Sequence, residues 1–138
     1  MKIVLDANVL VSRLLQPFHP PGEIVRMVSS GILELCYDAR ILAEYREVLA
    51  RPKFRLEKIH VEALLDLVKA AGFLVAPEPL RNRLPDASDE MFLEVALAGQ
   101  AQCLVTGNLK DYPVGSRQGM VVVSPAEWLE IYRREAVR

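Results

Sequence analysis

The chain has 138 residues, 51% of them apolar and 25% charged, with a formal net charge of −1. That suits one soluble domain, residues 1–138, with room for a substantial core. It offers no global basic field of the kind that marks many nucleic-acid binders, and no apolar run approaches the roughly 18 residues of a membrane span, so no membrane partner is expected.

The chain opens on Lys2-Ile3-Val4-Leu5-Asp6-Ala7-Asn8. Its apolar run reads as a short strand buried on both faces, too short and too soon interrupted by Asp6 for a signal peptide. Asp6 then has two readings, a helix N-cap or a ligand-binding acid at the end of a central strand. Val9, Leu10, Leu14 and Leu15 recur at helical spacing until Pro17, Pro20, Pro21 and Gly22 break the pattern. Pro20 and Pro21 fit the first turn of a second helix, closed by Gly31. Residues 32–37 read as the second strand, and Asp38 as the cap of a helix running to about residue 50. On that helix Glu44 falls at the edge of the apolar stripe and Glu47 on the far side.

A basic turn follows, Arg51-Pro52-Lys53-Phe54-Arg55, then an amphipathic helix over 57–71 with Gly72 as its stop. Residues 73–76 read as extended and the proline-rich stretch to Pro85 as a surface loop. Asp86-Ala87-Ser88-Asp89-Glu90 begins another helix, with Asp89 near the middle of its apolar face, Asp86 on the flank and Glu94 pointing away. Gly99 ends it. Residues 103–106 form a strand, Gly107-Asn108 a sharp turn, and 120–123 the last strand. Ser124, Pro125 and Glu127 open a final helix as a capping box. Cys36 and Cys103 sit inside apolar runs as buried thiols, which fits a reducing cytoplasm. His19 and His60 have no acid at a telling spacing.

Strands alternating with helices imply an α/β fold, a three-layer α/β/α sandwich around a mostly parallel sheet. In such a sheet the acids meet at one edge: Asp6 after the first strand, Glu44 after the second, Asp86 and Asp89 before the fourth, Asn108 and Asp111 after it. Hard oxygen donors without His or Cys favour Mg²⁺ or Mn²⁺ over zinc. Such ions support in-line displacement at phosphorus. The alternatives for single residues stay open here. Asp86 and Asp89 also suit a helix N-terminus, and Asp111 also suits a turn before Tyr112-Pro113.

The ordered set of motifs resembles the PIN-domain ribonucleases, in particular the toxins of toxin–antitoxin pairs. The matching pieces are Val4-Leu5-Asp6-Ala7-Asn8 extending to Ser12, Leu42-Ala43-Glu44, and Val48-Leu49-Ala50-Arg51-Pro52-Lys53-Phe54. Pro85-Asp86, Asp89-Glu90-Met91-Phe92-Leu93, Leu104-Val105-Thr106-Gly107-Asn108-Leu109-Lys110 and Ser124-Pro125-Ala126-Glu127-Trp128-Leu129 complete the set.

The resemblance implies a PIN-like fold and a Mg²⁺- or Mn²⁺-dependent endoribonuclease acting on RNA. It implies a catalytic quartet of Asp6, Glu44, Asp89 and either Asp111 or the Asn108 position. Asp86 enters as a further candidate ligand, and Asn8 and Thr106 as residues that orient acids or water. It also implies an antitoxin partner and a homodimer. Many members carry Asp where this chain has Asn108. Asn brings no charge, which leaves one or two ions open and invites the alternative of a weak or inactive RNA- or protein-binding module. Arg51, Lys53 and Arg55 are either a solvated turn or a grip on RNA phosphates. A phosphoacceptor domain would need a Lys after the last strand, and a haloacid-type phosphatase a second Asp at position 8; neither is present.

Overall fold

The computed structural model describes residues 1–16 and 18–136. Five strands form one sheet in the order β3-β2-β1-β4-β5. They are β1 (Lys2–Leu5), β2 (Glu34–Tyr37), β3 (Gly72–Leu74), β4 (Cys103–Val105) and β5 (Val122–Val123). Every pairing is parallel, with Ile3 opposite both Leu35 and Cys103. β1 holds the centre because Ile3, Val4 and Leu5 are fully buried, as expected of a strand covered on both faces.

Among the described residues six α-helices flank the sheet: α1 (Ala7–Leu15), α2 (Pro20–Ser29), α3 (Ala39–Leu49), α4 (Lys58–Ala71), α5 (Glu90–Ala98) and α6 (Pro125–Ala136). α5 packs across β1, β2 and β4, while α1 packs against α2 and α3. Between α3 and α5 the rings of Tyr45 and Phe92 stack at 6.2 Å. The caps follow the sequence. Asp38 accepts from the Ile41 N–H at 2.9 Å, and Ser124 and Glu127 exchange hydrogen bonds at the start of α6. Cys36 and Cys103 are buried free thiols. Among the described residues no helix is long and apolar enough to cross a membrane. Pro17, one of the expected helix breakers, lies outside the described residues.

Several boundaries shift. Gly72 begins β3 instead of only stopping α4, because it already pairs with Leu35 of β2, and a Cβ there would lie 2.3 Å from the Val68 carbonyl oxygen and 2.5 Å from the Tyr37 ring. The expected helix start at Asp86 is a short 3₁₀ turn over Ala87–Asp89, and α5 begins one residue later. Glu94 does not face away into solvent. It is 9% exposed, because α5 carries the sheet on one side and the 75–85 strap on the other. Arg40 joins Glu94 at 2.7 Å and Asp38 at 2.8 Å, and the second Glu94 oxygen accepts from the Leu80 N–H at 3.0 Å.

Candidate functional site

In the order β3-β2-β1-β4-β5 the chain moves outward from β1 in one direction, then restarts at β4 on the other side. The reversal lies between β1 and β4, and ligands of open α/β sheets bind outside the carboxyl ends of strands at such a point. Asp6 leaves β1 there, and Thr106 leaves β4 beside it.

Asp6 stands at the N-cap position of α1 but makes no side-chain cap hydrogen bond to it. Its backbone N–H donates to the Val105 carbonyl at 3.0 Å, tying it to β4. Its Oδ2 accepts from Thr106 Oγ1 and Tyr112 Oη, each at 3.1 Å. Burial holds the Asp6 carboxyl above its ordinary pKa, and the Thr106 and Tyr112 hydroxyls, with the backbone N–H groups of Asn8 and Ala7, offset only part of the rise. The Tyr45 hydroxyl donates to the Leu5 carbonyl just before it.

The turn after β4 is built on side chains. Asn8 Oδ1 accepts from the Gly107 N–H at 3.0 Å, and a Cβ on residue 107 would crowd that same oxygen at 3.0 Å. Thr106 Oγ1 accepts from the Asn108 N–H at 3.1 Å while donating to Asp6. Asn108 caps the Leu109–Asp111 turn by accepting from the Lys110 N–H at 3.3 Å, and its Nδ2 donates to Asp111 Oδ1 at 3.2 Å. An ionised Asp at this position could not donate that bond.

Asp89 is the centre of the charge. Its carboxyl is pushed up to about 7, by burial first and then by the carboxylates of Asp111, Asp6, Asp86 and Glu44. Acids from four separate segments thus act electrostatically on the one carboxyl. Glu44 is raised by burial, then by Glu47, with Asp6 and Asp86 adding and Arg51 opposing. Asp86 differs. It is exposed, and Ser88 binds its Oδ1 through both hydroxyl (2.7 Å) and N–H (2.9 Å), which lowers its pKa. It acts as the cap of its turn.

The donors are all oxygen, with an amide at Asn108, and this composition suits a hard divalent cation. Among the described residues no three His, Cys, Asp or Glu side chains are gathered tightly enough to grip an ion as they stand. Like charges sharing a site favour separation or protonation until a cation compensates them, and the raised Asp89 registers that strain.

Arg51 reaches the rim of this cluster, bound to Glu47 at 3.0 Å and felt at Glu44. The Lys53 amine stands 5.1 Å from the centre of the Phe54 ring, and Arg55 is exposed with φ 50°. Among the described residues neither Lys53 nor Arg55 contacts the carboxylates. The sequence reading missed the hydroxyl of Tyr112. The available signal was tyrosine at a buried position, where the O–H requires a partner.

Two concavities lie away from the acids. One of about 420 Å³ is lined by Arg13, Leu14, Val25, His60 and Leu64, and one of about 500 Å³ by Arg46, Leu49, Leu56 and Val61.

A family model described as PIN domain matches residues 2–110. Among solved structures, the fold is similar to a chain in the crystal structure of VapBC2 from Rickettsia felis bound to a DNA fragment from their promoter. That match is 15% identical, covers 88% of this chain and 97% of the other, and has a TM-score of 0.60. At that identity the likeness is one of fold. No curated protein matches the chain.

Proposed function

The chain belongs to the PIN-domain family, and from that premise we propose that it is a Mg²⁺- or Mn²⁺-dependent endoribonuclease hydrolysing RNA phosphodiester bonds. What supports this reading is the family match, together with the electrostatic influence that Asp111, Asp6, Asp86 and Glu44 all exert on the half-buried Asp89 carboxyl. Asp6, Glu44, Asp89 and Asp111 are the residues that would hold the cation. Asn108 serves by tying down Asp111 through its amide, and Asp86 by capping the turn that delivers Asp89. Thr106 orients Asp6, and Asn8 holds the Gly107 turn in place.

When bound, the divalent ion supplies activation of water and charge compensation at the scissile phosphate. Without such compensation four carboxylates would repel an RNA backbone. Arg51, Lys53 and Arg55 form the flanking basic turn that grips neighbouring phosphates, with Arg51 nearest the acids. The toxin role, with an antitoxin partner and a homodimer, rests on the branch that the motifs resemble, and the fold shared with VapBC2 supports it.

The test is cleavage of a mixed-sequence RNA in Mg²⁺, Mn²⁺ or EDTA, beside the Asp6→Asn protein. Metal-dependent cutting that disappears in the variant, with the melting curve preserved, is the expected result. An Asp6→Asn protein that still cuts would sink the assignment. No cutting and no Mn²⁺ binding by wild type would leave an inactive binding module.

A further inference from the structure

Two hydroxyls from different segments meet one oxygen of Asp6. Thr106 Oγ1 and Tyr112 Oη both donate to Oδ2, each at 3.1 Å, and neither reaches Oδ1. Both donors belong to fully buried residues. Tyr112 is itself fixed, its N–H donating to the Leu109 carbonyl at 3.1 Å and its carbonyl accepting from Arg117 Nε at 2.8 Å. It follows Asp111 directly, so one short turn delivers the Asp111 carboxylate and the phenol together. A tyrosine phenol carries its proton at neutral pH, which makes it a donor to the carboxylate.

We propose that Tyr112 is a positioning residue: together with Thr106 it pins Oδ2 of Asp6 and so fixes the orientation in which the carboxylate meets a divalent cation. This rests on the metal-dependent reading above. The physical reason is rotational. A carboxylate with one donor can turn about its Cβ–Cγ bond, whereas two donors converging from β4 and from the following turn hold it in one orientation. A phenylalanine at 112 would fill the same volume and lack only the hydroxyl, so the role belongs to one oxygen atom.

The experiment is Mn²⁺ titration by calorimetry on the full chain, with metal-free melting curves for every protein. The set is wild type, Tyr112→Phe, Thr106→Val, the double variant, Tyr45→Phe and Asp6→Asn. Partners that orient a metal ligand typically contribute about 10–100-fold in affinity. Tyr112→Phe should weaken Mn²⁺ binding roughly 10-fold while remaining folded at the titration temperature. Tyr45→Phe loses an equally buried hydroxyl whose partner is the Leu5 carbonyl, and should bind Mn²⁺ as wild type does. Thr106→Val should weaken binding in the same direction, and the double variant should depart from additivity because both donors serve one oxygen. Should Tyr112→Phe fail to fold, wild-type affinity in Thr106→Val would overturn the pinning of Oδ2.

If wild type binds Mn²⁺, Asp6→Asn does not, and Tyr112→Phe matches wild type, the Tyr112 role is wrong and the metal reading stands. Equal weakening in Tyr112→Phe and Tyr45→Phe would reduce Tyr112 to a packing residue and overturn the proposal. Absence of Mn²⁺ binding in wild type would overturn the metal reading and the Tyr112 role with it.

Discussion

At pH 7 the carboxyl of Asp89 is close to half protonated, because burial and four neighbouring acids push it up to about 7 from 3.8. The folded chain thus binds this proton more tightly than the unfolded chain does. Between those two pH values the folded state holds the extra proton, so the stability that Asp89 contributes falls as pH rises through the window. Asp6 and Glu44 are raised as well and act in the same direction. In EDTA, the urea midpoint should drop between pH 5 and pH 8, and Asp89→Asn should flatten that drop. A midpoint that rises over this range in wild type would contradict the clustering of the acids. Gly107→Ala acts at the same scale. The new methyl would meet Asn8 Oδ1 at 3.0 Å, so cleavage should weaken because the turn carrying Asn108 and Asp111 must shift; unchanged kcat and KM would show that the turn has slack.

Among the elements, α5 links stability to the site. Two of its acids hold the 75–85 strap. Glu94 binds the Leu80 N–H at 3.0 Å, and Glu90 binds the Leu84 N–H at 2.9 Å and Arg83 at 2.9 Å. The strap leads directly into Asp86 and Asp89. Glu94→Ala removes the acceptor for Leu80 and one partner of Arg40, and should cost about 1–3 kcal/mol in urea unfolding. Glu94→Gln keeps an acceptor for Leu80 and should cost less. Equal costs would show that the charge matters and the strap contact does not. Projection of this helix from sequence put Glu94 on the solvent side, because angular period reports only the face opposite the strongest apolar stripe. A strap packed by contacts 14 residues apart leaves no period to detect.

For the whole molecule, a ligand that binds the folded state alone stabilises it. Mn²⁺ at 100 times its Kd should add about 2.7 kcal/mol, or roughly 10 °C in Tm for a domain of this size. Asp6→Asn should abolish the shift. A wild-type Tm indifferent to Mn²⁺ and Mg²⁺ would leave the acid cluster without its proposed occupant. RNA cleavage should also fall as salt rises, since phosphate attraction is screened; a rate constant across a wide salt range would remove the basic turn from the account.

The sequence by itself determined the alternation of strands and helices, the central place of residues 3–5, the caps at Asp38 and Ser124, and the segments carrying the acids. These are local properties: period, side-chain size and cap chemistry act over a few neighbours. Only the tertiary structure decided the rest. It put Thr106 and Tyr112 on the same oxygen of Asp6 and buried Glu94 beneath the strap. The Asp6 contacts join residues 100 and 106 positions apart, and they exist because β1 pairs with β4 in parallel register. No local rule spans that distance; strand order does.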